Sequence, residues 1–200
     1  MTSANDGPAL ELDAGAMRTL LTELDERLRG RGVAATVYVV GGAAMALAYG
    51  REGVTPDIDA VASHRAVVEE ARAIAESRGL SEHWLNDSAG PWIPPRPKAA
   101  MQRPDEPGLV VHLAPPEHVL AMKLVALRRK DRPDIRILVR HLRMEEASPE
   151  EYADLLERIY SGEGRLATAL GVSGDDNVST REEALAIGRW VHEFCASPRD

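Results

Sequence analysis

Asp57 and Asp59, two carboxylates two residues apart, are the side chains of this 200-residue chain best spaced for chemistry. They form the only Asp-x-Asp in the sequence. The stretch 57–62 alternates polar with apolar residues and predicts a strand. On a strand, residues i and i+2 project from the same face, so both carboxylates aim at one point. At about 6 Å and an effective dielectric near 20, they repel by roughly 3 kcal/mol. Water or a cation between them relieves that repulsion. Two carboxylates completed by phosphate oxygens and water are a donor set that Mg²⁺ accepts. A raised-pKa acid beside a base is the other chemistry open to such a pair.

An anion site is predicted just upstream. Tyr38-Val-Val-Gly-Gly-Ala-Ala-Met45 reads as a buried strand over 36–40, a glycine pair, then an Ala-rich helix over 43–49. Gly41 and Gly42 let a ligand approach the backbone closely. The helix start offers free N–H groups to phosphate. An anion site beside a cation site suits a nucleoside triphosphate. A tight turn is the plainer reading of the glycine pair. The G-x-G-x-x-G spacing of a dinucleotide turn is absent.

Other elements must position these residues. Met1 to Pro8 reads as a frayed terminus. Apolar spacing predicts helices over 10–28 and 65–78, the second ended by Gly79. Gly90 to Pro107 is proline-rich and aperiodic, a loop or lid flanked by Trp84 and Trp92. These tryptophans pin the loop to the core, or one stacks on a base. A strand over 109–113 follows, then a helix opened by Pro115 and running to about Arg129. The next helix spans 131–142, with Asp131 and Asp134 able to cap its first turn. Ser148-Pro-Glu-Glu151 predicts a capping box for a helix to about Tyr160. Ser179 and Glu182 predict the same device before a last helix ending near Phe194. Gly171-Val-Ser-Gly lacks the final residue of a serine elbow and reads as a loop. The six histidines show no metal-ligand spacing.

The resulting fold class is α+β: a small mixed β-sheet flanked by helices, with a helical C-terminal region. The expected division is a first domain over 1–145 and a helical extension over 146–200. The net charge of −8 disfavours indiscriminate nucleic-acid binding. Even so, Lys123, Arg128, Arg129, Lys130, Arg132, Arg136, Arg140 and Arg143 make a local basic run. Alone, it reads as a solvated helix face. One cysteine, Cys195, no recognisable leader and no apolar run near 20 residues lead to the expectation of a cytoplasmic protein without a membrane partner.

The Gly-Gly turn and Asp-x-Asp strand together resemble the catalytic core of the nucleotidyltransferase superfamily. Met122-Lys-Leu-Val-Ala-Leu-Arg-Arg-Lys-Asp-Arg-Pro-Asp134 resembles the Lys-x-x-Ala and Lys-Asp-x-x-Asp segments of AbiEii-type toxins and their uncharacterised bacterial relatives. His83-Trp-Leu-Asn-Asp87 resembles a recurring segment of those relatives. The resemblance spans about residues 36–142. It implies a nucleotidyltransferase core that moves an NMP from an NTP to a hydroxyl acceptor. Asp57 and Asp59 would be catalytic and hold Mg²⁺, or Mn²⁺ in its place. Gly41, Gly42, Lys123, Lys130 and Asp134 would bind the nucleotide, with Lys123 and Asp131 also catalytic. Its implied partners are an NTP, an RNA or tRNA acceptor, and an antitoxin protein, as in a toxin–antitoxin system. A small molecule or a protein is the alternative acceptor. One departure stands out: many superfamily members carry a third carboxylate on a later strand, and Leu109-Val-Val-His-Leu113 has none. His112 or Asp131 would have to substitute. Otherwise the chain is a non-catalytic nucleotide-binding or regulatory protein on the same fold.

Overall fold

The computed structural model describes residues 11–172 and 177–197. The terminus expected to fray, 1–8, lies outside them. By packing, the chain divides into two units. One runs up to Gly90 and takes in Arg96–Ala114; the other is Pro91–Pro95 with the chain from Pro115 onward. The division therefore falls at Ala114–Pro115 and not near residue 145. The physical reason is that the helix after Pro115 packs on later helices of its own unit.

The first unit is α+β. Helix α1 is Ala14–Gly30, strand β1 is Ala34–Val39, helix α2 is Gly41–Ala48 and strand β2 is Ile58–Ala62. Helix α3 is Arg65–Arg78, strand β3 is Leu85–Asn86 and strand β4 is Gly108–Leu113. The four strands form one mixed sheet in the order β3-β2-β1-β4. β1 pairs antiparallel with β2 and parallel with β4, and β2 pairs parallel with β3.

Helix α1 starts at Ala14 rather than at residue 10, because the Asp13 side chain accepts the Ala16 N–H and caps it. Leu12 instead bridges to Thr55, with backbone hydrogen bonds of 2.8 and 3.0 Å. Met17, Leu20, Leu21, Leu24 and Leu28 are its buried stripe, as their spacing requires. Every β1 residue is buried, as the central position demands. α3 ends at Gly79 in the left-handed conformation (φ 64°).

The proline-rich 90–107 segment is not one element. It contains 3₁₀ turns at Gly90–Trp92 and Lys98–Met101 and is shared between the units. In the first unit, Thr36 Oγ1 donates to the Ala100 carbonyl at 3.4 Å, so the second turn lies against β1. In the second, Tyr160 Oη donates to the Trp92 carbonyl at 2.8 Å.

The second unit is helical: α4 is Pro116–Ala126, α5 is Arg132–His141, α6 is Pro149–Ile159, α7 is Arg165–Leu170 and α8 is Asn177–Ala196. α4 stops at Ala126, short of Arg129, because Leu127 turns left-handed (φ 45°) and returns its N–H to the Lys123 carbonyl. A 3₁₀ turn, Arg129–Asp131, leads into α5. Ser148 and Glu151 form the expected capping box at α6. The second expected box is absent: Ser179 is already inside α8. Of the Gly171–Gly174 loop, Gly171 caps α7, while residues 173 and 174 lie outside the described residues. No described helix is long and apolar enough to cross a membrane.

Candidate functional site

The carboxylate pair stands where β2 begins. Asp57 precedes the strand by one residue and Asp59 is its second residue. Ile58 and Ala60 alternate with the pair and are buried, which leaves Asp57 and Asp59 part-exposed on the opposite side. The backbone anchors both ends of this turn. Val40 N–H donates to the Asp59 carbonyl at 2.9 Å, and Ile58 N–H to the Trp84 carbonyl at 2.7 Å. Trp84 is fully buried and donates Nε1–H to the Ala71 carbonyl of α3 at 2.8 Å. It is a core anchor and not a base-stacking platform.

The glycine pair opens α2 directly. Val40 precedes the helix with no side-chain cap, so the first turn's N–H groups have no capping side chain from that residue. Gly41 has φ 62°, and a Cβ built there would lie 3.3 Å from Asp59 Oδ2. Gly42 is equally confined: its Cβ would lie 2.8 Å from Arg51 Nη1 and 3.3 Å from Thr55 Oγ1. The absent side chains thus let a carboxylate and a guanidinium reach one backbone corner. Asp59 meets Gly41 directly, Gly42 faces Arg51 and Thr55, and Asp57 stands two residues before Asp59.

Two residues escaped the sequence reasoning. Arg51 is the only cation in the loop joining α2 to β2, and that was its available signal. Asn86 pairs in register with Asp59 across β3 and donates Nδ2–H to Asp57 Oδ2 at 2.9 Å. It lay inside the His83–Asp87 segment, but a two-residue strand leaves no periodicity to read.

Within the sheet, no carboxylate is aligned with Asp59 on β4. Carrying the β1 register one residue further aligns Asp59 with Val40, and Val40 with Ala114. The aligned position is therefore Ala114. His112 shares the face of Asp59 but lies two strands across and two residues back, about 12 Å away from strand spacing and rise. Asp131 belongs to the second unit.

There, Lys123, Asp131 and Asp134 converge. Lys123 Nζ lies 2.6 Å from Asp131 Oδ1 and 2.7 Å from Asp134 Oδ2. The three residues are only 6, 9 and 3% exposed. Asp131, expected to cap α5, makes no side-chain cap there and pairs with Lys123 instead. Lys130 is exposed on the neighbouring 3₁₀ turn. Part of the basic run is absorbed by packing: Arg132 and Arg136 lie over the Trp190 and Phe194 rings of α8, at 4.0 to 5.8 Å from their centroids. Arg128, Arg129, Arg140 and Arg143 are exposed. Cys195 is no activated nucleophile, since burial pushes its thiol above the ordinary range.

Among the described residues, no three His, Cys, Asp or Glu side chains converge into a ready-made metal cage. Comparison with known proteins returned no matching family model, no significantly similar curated protein and no significantly similar solved structure.

Proposed function

We propose that this chain is a Mg²⁺-dependent nucleotidyltransferase that moves an NMP from an NTP to a hydroxyl acceptor. The observation that carries the reading is the meeting of Asp59 with the glycine-led start of α2, where Asp59 Oδ2 lies 3.3 Å from the missing Gly41 Cβ and Asp57 stands two residues earlier. The donor chemistry fits the ion: Asp57 and Asp59 would hold Mg²⁺, with phosphate and water completing its shell. The ion would stabilise charge building on the phosphate oxygens as pyrophosphate leaves. The α2 N–H groups and the Arg51 guanidinium are the chain's own means of binding that charge in the first unit. A part-exposed carboxylate of the pair would accept the proton of the attacking hydroxyl.

Lys123 is assigned to phosphate by resemblance, yet two buried carboxylates already balance it. The reading therefore rests on the first unit. RNA is the proposed acceptor, supported by the exposed Arg128, Arg129, Lys130, Arg140 and Arg143; an antitoxin partner follows from the resemblance, and a cytoplasmic location from the single cysteine. The alternative is a non-catalytic nucleotide-binding protein, favoured by Ala114 at the position aligned with Asp59. Incubating the chain with Mg²⁺, each labelled NTP and total RNA tests the proposal. Label transfer lost in Asp57→Ala and Asp59→Ala is expected. Nucleotide binding without transfer to any acceptor would support the alternative.

A further inference from the structure

We propose that α5 and α8 form a docking surface for single-stranded RNA, centred on Arg132 and Arg136, whose guanidinium groups lie over the Trp190 and Phe194 rings. The choice of RNA rests on the acceptor reading proposed above; the surface itself follows from charge and geometry within the second unit. Arginines elsewhere in the chain are paired. Arg27, Arg29, Arg31, Arg78 and Arg181 each form a salt bridge of 3.0 Å or less. Among the described residues, no carboxylate forms a salt bridge with Arg128, Arg129, Arg132, Arg136, Arg140 or Arg143. The adjacent Asp131 and Asp134 are engaged by Lys123. Glu145 shares the Cys195 neighbourhood with Arg136 and Arg140 but pairs with neither. In a chain of net charge −8, this uncompensated run is a local positive patch suited to an extended anion.

The geometry narrows the anion. Arg132, Arg136 and Arg140 recur every four residues on α5, away from its buried Ile135, Leu138 and Val139. They step along the helix axis by about 6 Å each. Beside them the Trp190 and Phe194 rings of α8 stack, with centroids 5.0 Å apart and planes at 9°. Arg136 lies 4.0 Å from the Phe194 centroid; Arg132 lies 5.7 Å from that of Trp190 and 5.8 Å from that of Phe194. Contact with a ring uses the face of a guanidinium and leaves its N–H edge to donate. Among the described residues, none accepts a hydrogen bond from either side chain. The rings thus hold two planar forks with their donors open, and phosphate accepts such forks bidentately. A cationic track beside aromatic rings is the combination that single strands bind.

The test is fluorescence anisotropy of a labelled, unstructured single-stranded RNA of mixed sequence, in EDTA so that the carboxylate pair plays no part. The unaltered chain binds at about 50 mM salt, and its affinity falls linearly with the logarithm of salt concentration. Replacing both arginines, Arg132→Gln with Arg136→Gln, lowers affinity about tenfold or more. It also shallows the salt slope by about 1.4, at about 0.7 for each phosphate contact to a single strand. Arg132→Lys with Arg136→Lys keeps the charge but loses the planar fork, so affinity falls while the slope is kept. The lysine pair decides the matter if circular dichroism shows that the glutamine pair does not fold. Arg65→Gln, at a side chain 89% exposed in the first unit, leaves binding unchanged. Three results would overturn the proposal: no RNA binding at low salt, full affinity in both double variants, or displacement by polyglutamate as ready as by unlabelled RNA. Loss of RNA binding beside labelling that still needs Asp57 and Asp59 strikes this surface and leaves the catalytic reading. Intact RNA binding with no labelling does the reverse.

Discussion

Gly41 and Asp59 are mutually dependent: the space a Gly41 Cβ would fill lies 3.3 Å from Asp59 Oδ2, at a backbone position with φ 62°. The positive φ favours glycine there by itself, and the Asp59 carboxylate packed against the first residue of α2 adds to the demand.

Gly41→Ala should therefore act twice. The left-handed conformation costs a non-glycine residue about 1–2 kcal/mol, and the new methyl pushes on the Asp59 carboxylate. The expected result is a modest fall in thermal midpoint with a disproportionate loss of Mn²⁺ binding. Retained metal binding at full strength would mean that Asp59 is not a ligand. Differential scanning fluorimetry and Mn²⁺ titration on the same sample provide the two readings.

Gly188→Ala tests packing in the helical unit. Its Cβ would stand 2.2 Å from the Pro149 carbonyl oxygen, a backbone atom with no side-chain freedom to yield. Overpacking of this kind costs about 1–3 kcal/mol and sometimes more. Gly30, within α1, has nothing within 4 Å of its Cβ position. Gly30→Ala should instead stabilise, by about 0.5–1 kcal/mol. Urea unfolding of both variants checks the opposite signs.

Lys123→Ala should destabilise strongly, by about 3–5 kcal/mol, because it leaves Asp131 and Asp134 buried without a counter-charge. Lys123→Met combined with Asp131→Asn and Asp134→Asn should recover much of that loss. If Lys123→Ala unfolds in urea like the unaltered chain, the cluster is not a structural staple.

Acid stability should depend on Asp25. Burial raises its carboxyl, but hydrogen bonds from the Arg29 guanidinium and the Leu109 N–H outweigh burial and hold it below the usual carboxylate range. A depressed folded-state pKa gives stability that is present above the unfolded value and lost as pH falls through the folded one. The loss should begin below about pH 4. Asp25→Asn should be less stable than the unaltered chain at neutral pH, and the gap should narrow on acidification. Melting curves from pH 7 to pH 2.5 decide it. Gly108 (φ 132°) allows this contact, since its Cβ would lie 2.5 Å from Asp25 Oδ1.

The legible parts of this fold were those written in local pattern. The Asp57–Asp59 pair, the glycines opening α2, the Gly79 stop and the Ser148 capping box each follow from spacing within a few residues. What stayed hidden depends on contacts between residues distant in sequence. Asn86 reaches Asp57 across 29 positions, and Leu109 reaches Asp25 across 84. Ser179 and Glu182 carry a capping signal, yet α8 begins at Asn177 and already includes Ser179. Asp131 carries a cap signal at the start of α5, yet its carboxylate pairs with Lys123 instead.

The Leu12–Thr55 bridge has a practical consequence for anyone shortening the chain. Two backbone hydrogen bonds hold Thr55, two residues ahead of Asp57, to a segment that precedes the first helix. A truncated chain beginning at Asp13 would keep every residue of the carboxylate site and lose the clasp that fastens its approach. On the proposed reading of the site, trimming the N-terminus would then surface as loosened metal affinity, a defect easily misattributed to the site itself.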